Sequence, residues 1–443
     1  MLVNIHLFVR QLILLGSFAL LLSARPATSQ ELSLDQCIDL ALEHNWSIRL
    51  SQKDILIARD INNEAKSNLL PKLNGVADYR YYTDLPYQFM PAEAFGGAAG
   101  TYKQVQFGVP QNVNINAQLS IPIFNPAALS AIITTREAII LREIQKSKTE
   151  EEVVMEVSNT YYNGQILRHQ IAFLDSNIIN TEKLVRTTTI LYQQQLAKAT
   201  DVDRLKLQME QLITQRTTVS SQYQQVLNAL KFLIGKPVTD TVEVSPEAKT
   251  YRITHYTQVL TIDAKLIDKQ LQLTNAELKG LKRSRLPSLG AYATYGTTGF
   301  GTTGSNSFFN FYPVSYLGVQ MKIPLFNNLG THYKIQQKKT ELDKTSLQED
   351  LLLAKTDLER TNAFLQYQVA ENNLTTTAGQ IELAGKIYRN TVLQSEHGIA
   401  SITDLLLADN AVREAQQNYI AALVSLKRAE LEYKRITGNL VIN

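Results

Sequence analysis

Two aspartates stand at matching places in this 443-residue chain. Asp201 closes Leu196-Ala197-x-x-Thr200-Asp201, and Asp404 closes Ile399-Ala400-x-x-Thr403-Asp404 at an offset of 203. A Thr-Asp pair opening a helix has a local use: the hydroxyl caps free N–H groups and the carboxylate complements the helix dipole. Other Asp and Glu residues are spread along helical stretches and read as solvated faces, not as paired acids for proton transfer. The six histidines, His6, His44, His169, His255, His332 and His397, show no metal-ligand spacing and read as surface or packed residues. Cys37 is the only cysteine, which excludes an internal disulfide; within the helical pattern Leu34 to Leu42 it reads as a small buried residue. No phosphate-binding glycine loop, G-x-S-x-G elbow or H-E-x-x-H motif is present. These residues indicate no catalytic site, no cofactor and no metal, so function must come from the elements that carry them.

The elements come twice. Leu-Pro-Lys-Leu at 70–73 recurs as Leu-Pro-Ser-Leu at 286–289, and Ile-Pro-Ile-Phe-Asn at 121–125 recurs as Ile-Pro-Leu-Phe-Asn at 323–327. Gly235 recurs as Gly438. The order is the same in both copies, which marks a duplicated structural unit. Net charge is +3 and charged residues are 19%, so no strong field draws nucleic acid. Residues 1–29 read as a secretory signal, with Arg10, an apolar run from Leu12 to Leu22, and small residues Ala27 and Ser29 before the cut.

Residues 112–121 alternate without error, with polar residues at even positions and apolar residues at odd ones. Residues 316–323 and 73–82 alternate similarly, and residues 289–296 do so most weakly. Strands of about ten residues, apolar on one face and flanked by tyrosines, suit an outer membrane. The segments read as strands at about 70–84, 110–124, 286–299 and 313–326. Four strands cannot close, and open edges in lipid leave backbone groups unpaired. Copies must therefore share one barrel: two would give eight strands and a filled interior, while three would give twelve and room for water. The polar inner faces favour three. Residues 84–110 and 297–312 read as exposed loops facing outside, the first pair being 14 residues longer than the second.

After Asn125 and Asn327, about 70 residues pass almost without glycine or proline. Each run then turns, near 193–200 or 395–403, and returns to Gly235 or Gly438 as a helix with a seven-residue seam. The seam from Val202 to Leu233 is broken only by Arg216, and the one from Leu405 to Ile436 is rich in alanine. Gly235-Lys236-Pro237 is a helix stop. One N-terminal helix over 32–69 would match 248–285. The organisation is a signal at 1–29, a first repeat at 30–235, a linker or belt at 236–258, and a second repeat at 259–443.

Together these motifs resemble the TolC-like outer membrane efflux protein (OEP) family. The resemblance implies a mainly α protein with membrane β: a long antiparallel α-helical barrel on a shared twelve-stranded barrel in a homotrimer. It implies a passive exit duct through outer membrane and periplasm, working with a periplasmic adaptor (membrane fusion) protein and an inner-membrane pump of RND or ABC type. The turns Leu196-Ala197-Lys198-Ala199 and Gly398-Ile399-Ala400-Ser401 match the family's adaptor-docking tips. Asp404 matches an aspartate at the tunnel's closed end, where three carboxylates would attract cations. Asp201 is its counterpart in the first repeat, and Leu407 stands where some members carry a second acid. The alternative reading is a periplasmic coiled-coil scaffold or adaptor with a small soluble β-domain.

Overall fold

The computed structural model describes residues 30–245, 260–302, 310–326, 329–397 and 399–440. The signal segment, residues 246–258 of the linker, and Gly398 lie outside the described residues. Most of the chain is helical. In order come β1 (Gln30–Leu32), α1 (Leu34–His44), α2 (Trp46–Ser67), β2 (Lys72–Tyr81), β3 (Tyr87–Pro91), β4 (Tyr102–Gln106), β5 (Gln111–Phe124), α3 (Pro126–Gln193), α4 (Ala199–Leu233) and β6 (Val242–Val244). Then follow α5 (Ile262–Arg283), β7 (Ser288–Gly301), β8 (Asn310–Lys322), α6 (Gly330–Glu396) and α7 (Ile402–Ile436).

Matching elements keep the offsets of the sequence motifs. Helices α2 and α5 have 22 residues each at an offset of 216, and α4 and α7 have 35 each at an offset of 203. Helices α3 and α6 have 68 and 67 residues. At 1.5 Å per residue each runs roughly 100 Å. Both return helices end on a glycine with positive φ, Gly235 at 70° and Gly438 at 73°. That conformation lets the Lys236 N–H reach the Lys231 carbonyl and the Asn439 N–H reach the Lys434 carbonyl, each at 2.8 Å.

Three expectations need correction. The single N-terminal helix over 32–69 is two helices, α1 and α2, parted at Asn45. The Asn45 side chain donates to the Leu233 carbonyl at 2.9 Å and accepts from the Ser47 N–H at 2.8 Å. A cap bond of this kind competes with helix continuation. The loop read at 84–110 carries the antiparallel hairpin β3–β4, in which even Pro91 is paired, opposite Tyr102. The loop read at 297–312 is strand at both of its ends, because β7 runs to Gly301 and β8 begins at Asn310; residues 303–309 lie outside the described residues.

The chain divides into two compact units that cut across the repeats. The first takes the described residues of Met1–Gln52, Gln145–Ala264 and Leu352–Asn443. Its main core gathers Leu32, Cys37, Ile48, Val157, Leu230 and Val244 around the parallel pair β1–β6. Cys37 is fully buried there, and burial pushes its thiol up to about 12. The Tyr161 hydroxyl donates to the Leu32 carbonyl at 2.9 Å, which ties β1 to α3. Along α4 the seam residues Val202, Leu205, Leu212 and Val219 are buried. Arg216, the seam's one polar member, is exposed and pairs with Asp175 at 2.8 Å. Along α7 the seam alanines Ala408, Ala415, Ala422 and Ala429 are buried.

The second unit takes the described residues of Lys53–Ile144 and Lys265–Leu351. It holds a four-stranded sheet in the order β2-β5-β7-β8, antiparallel throughout. Strands β5 and β7 join the two repeats' strand pairs, and β2 and β8 are the edges.

Candidate functional site

The sheet register sorts every strand onto the same two faces. Leu73 pairs with Leu119, Leu119 with Ala293, and Ala293 with Leu317. Ala77, Ile115, Thr297 and Pro313 form another such row. Side chains alternate along a strand, so the odd-numbered residues of all four strands share one face. That face carries Leu73, Tyr79, Ile115, Tyr295, Leu317 and Val319, all exposed, with Leu317 at 86%. The opposite face carries Asn74, Asp78, Asn114, Gln118, Thr298 and Gln320. A hydrogen-bonded row crosses it: Thr298 donates to Asn114 at 2.9 Å, and Asn114 donates to Asp78 at 3.3 Å. Arg80 meets the same Asp78 carboxylate at 2.9 Å. The weak alternation of β7 is explained by its glycines. A Cβ on Gly296 would stand 2.3 Å from the Ile115 carbonyl oxygen, and one on Gly318 of β8 would stand 2.7 Å from the Tyr292 ring. Backbone proximity and aromatic cover take the place of side-chain pattern there.

Both long hairpins turn in the first unit. After α3, Gln195 adopts φ 59°, and the Leu196 N–H reaches back to the Leu191 carbonyl at 2.8 Å. After α6, the Ile399 N–H makes the same reach to Gln394 at 2.8 Å. Both turns thus end a helix with an i→i−5 bond, and at Gln195 the cap is left-handed. They present apolar residues to solvent: Leu196 is 73% exposed and Ile399 78%. Ala197 and Ala400 are half-buried, Lys198 and Ser401 are exposed, and Ala199 begins α4.

The helix starts correct one sequence assignment. Thr200 and Thr403 do not cap; both lie inside the first turn. Ser401 caps α7, accepting from the Asp404 N–H at 3.1 Å, while Asp404 accepts from the Ser401 N–H at 3.0 Å and from its hydroxyl at 2.6 Å. At α4 the cap position is Lys198, whose ammonium has no lone pair to offer. Only the return bond exists there, from the Lys198 N–H to the Asp201 carboxylate at 3.2 Å. The Ser401 hydroxyl, and then its N–H, hold the Asp404 carboxyl below the usual carboxylate range. Asp404 is exposed, a fixed negative charge at the foot of α7, and Leu407 one turn on is 63% exposed.

A polar link near this end went unread in the sequence. Asp409 on α7 is 4% exposed. It accepts from Gln208 of α4 at 2.6 Å and from Nε of Arg413 at 3.0 Å. Burial pushes its carboxyl up, and Arg413 opposes that. Tyr388 of α6 is pushed up to about 12 by burial and then by the Asp409 charge. Further along, Asn177 of α3 donates to Gln416 of α7 at 2.9 Å. The i,i+4 spacing of Asp409 and Arg413 was legible, but nothing local says that this pair turns inward. Among the described residues, no three His, Cys, Asp or Glu gather as metal ligands, and no helix is long and apolar enough to cross a membrane.

A family model described as outer membrane efflux protein matches residues 37–236 and 267–439. No curated protein matches the chain by sequence. Among solved structures, the chain is similar to the outer membrane protein VceC of Vibrio cholerae, at 14% identity and TM-score 0.69, covering 91% of this chain and 96% of that one. It is similar to the Campylobacter jejuni CmeC outer membrane channel at 15% identity and TM-score 0.71, covering 92% and 85%. It is likewise similar to the Neisseria gonorrhoeae MtrE outer membrane channel at 15% identity and TM-score 0.69, covering 92% and 89%.

Proposed function

The chain belongs to the outer membrane efflux protein family, and from that membership we propose that it is a passive exit duct spanning outer membrane and periplasm. It is an outer-membrane protein of a Gram-negative-type bacterium. Two structural repeats, 30–235 and 259–443 about a belt at 236–258, build each subunit. Three subunits share one twelve-stranded barrel, and their long helices form a helical tunnel across the periplasm. No chemistry is done on the cargo.

One observation carries this reading. The four strands present one mostly apolar face, with polar residues and tyrosines gathered on the other, and β2 and β8 are the open edges of the sheet. A soluble β-domain would not leave Leu317 and Val319 in water, which sets aside the scaffold reading. In lipid the apolar face is at home, and the open edges must be paired. Twelve strands enclose water where eight would be filled by side chains.

The turns around Leu196 to Ala199 and Ile399 to Ser401, with Gly398 between α6 and Ile399, dock a periplasmic adaptor, which links the duct to an inner-membrane pump of RND or ABC type. The exposed Leu196 and Ile399 side chains supply apolar contact. Asp404, with Asp201 and Leu407, lines the periplasmic constriction. An adaptor that binds the open tips better than the closed ones shifts the population toward open.

The test has two arms. Purified protein should run as a heat-sensitive trimer from outer-membrane fractions and conduct in planar bilayers. Ile399→Asp and Leu196→Asp should impair export while leaving trimer and conductance intact. A soluble, folded monomer would refute the duct, and normal export by both variants would refute tip docking.

A further inference from the structure

The two open edges of the sheet are not interchangeable with any other strand, and the residues along them restrict how copies can join. Across the sheet a straight row of paired residues runs Lys72, Ser120, Tyr292, Gly318. When identical copies close a barrel, β8 of one pairs with β2 of the next. The residue opposite Gly318 is then Lys72 shifted along β2 by a fixed stagger, the same at each seam.

Three constraints act on that stagger. It must be even, because an odd shift would turn the neighbour's apolar face into the lumen. It must run toward Tyr81, because the opposite sense sets Gly318 against residues before β2 and shortens the ladder, and at a shift of four or more it leaves at most five paired residues between the two strands. Its size sets the strand tilt. Four strands span about 19 Å and each residue rises about 3.3 Å, so shifts of four and six give tilts of roughly 35° and 46°. Shifts of two and eight give roughly 19° and 54°, outside the range of roughly 35–45° for such barrels. None of this depends on how many copies close the ring.

The side chains choose between four and six. A shift of four sets Lys322 opposite Lys72, two like charges face to face on an edge, which is destabilising. It also brings Pro313, which has no N–H, opposite Tyr81 within the new ladder. A shift of six sets Lys322 opposite Asn74 and ends the ladder at Ser315 and Tyr81, before the proline is reached. It places the Tyr316 ring opposite Arg80, whose guanidinium is already fixed by Asp78. The row from Thr298 through Asn114 and Asp78 to Arg80 would then continue onto an aromatic face of the neighbouring copy.

We propose that the subunits join by β8 pairing with β2 of the neighbouring copy at a stagger of six residues, with Val319 opposite Ala77, Gln320 opposite Val76, and Tyr316 opposite Arg80. This rests on the shared-barrel reading, and it specifies a seam that the reading leaves open.

Cysteine cross-linking tests it. In a Cys37→Ala background, Ala77→Cys is combined with Val319→Cys, and Val76→Cys with Gln320→Cys. Opposed residues lie about 4.5–5.5 Å apart at Cβ, within reach of a disulfide or a short thiol cross-linker. The expected result is conversion of monomer to covalent dimer and trimer bands after boiling. Ala77→Cys with Leu317→Cys, which opposes at a stagger of four, should link at least tenfold less. Preferential linking of the Leu317 pair would overturn the proposed register. Failure of all pairs in protein that still runs as a heat-sensitive trimer would overturn it too, while leaving the barrel standing. Monomer in every sample, including the parent protein, would overturn the shared barrel itself. Replacing Tyr316 with Leu should lower the temperature at which trimers dissociate, and an unchanged temperature would refute the Arg80 contact.

Discussion

Replacing Gln208 with alanine should loosen α4 from α7 near the tips. The Gln208 amide is one of the donors that serve the Asp409 carboxylate, at 2.6 Å, and among the described residues it is the one that comes from another helix. Asp409 is 4% exposed, so water replaces the lost donor poorly. A hydrogen bond to a charged group is worth about 1.5–3 kcal/mol. That corresponds to roughly a 10- to 150-fold shift in the equilibrium between joined and parted helices. If opening of the duct parts these helices, the open fraction of single channels in planar bilayers should rise by a factor in that range. Gln208→Glu should act more strongly, because it sets a second carboxylate against the first. Helix content and heat-sensitive trimers serve as controls for folding. Unchanged opening in both variants, with those controls intact, would refute the idea that this link holds the tips together.

The two acids of early α7 should show opposite pH linkage. Asp404 is lowered, so its contribution is present above the ordinary carboxylate value and is lost as pH falls through its lowered value; Ser401→Ala should abolish the shift in a carboxylate titration followed by NMR. Asp409 is raised by burial, so its contribution is present at low pH and is lost as pH rises through its raised value; Asp409→Asn should remove that slope from the unfolding profile. Leu205→Ala, at a fully buried seam position, should cost about 2–5 kcal/mol and lower the thermal midpoint of the helical signal. Gly296→Val should prevent trimer formation, because a Cβ there meets the Ile115 carbonyl at 2.3 Å, whereas Gly75→Ala, with open space around it, should assemble normally on a heat-dissociation gel.

Some of this architecture was written in local pattern. The alternation over 112–121 set the faces of β5, because side-chain direction in a strand follows from parity alone. Gly235 and Gly438 marked the helix ends, because left-handed φ is costly to residues with a Cβ. The motif offsets of 216 and 203 reappear unchanged between α2 and α5 and between α4 and α7, since spacing along the chain is set by the sequence alone. Other features depended on groups far away in the sequence. Asn45 parts α1 from α2 because the Leu233 carbonyl is there to receive it, 188 residues on. Asp409 turns inward because Gln208 meets it across 201 residues. The hairpin β3–β4 hides in a stretch rich in proline and glycine, and the faces of β7 were unreadable until the register set its glycines against Phe311 and Asn116. Periodicity and backbone preference are properties of neighbours along the chain. Partners for a buried amide or carboxylate, and the register between strands, exist only once distant segments have been brought together.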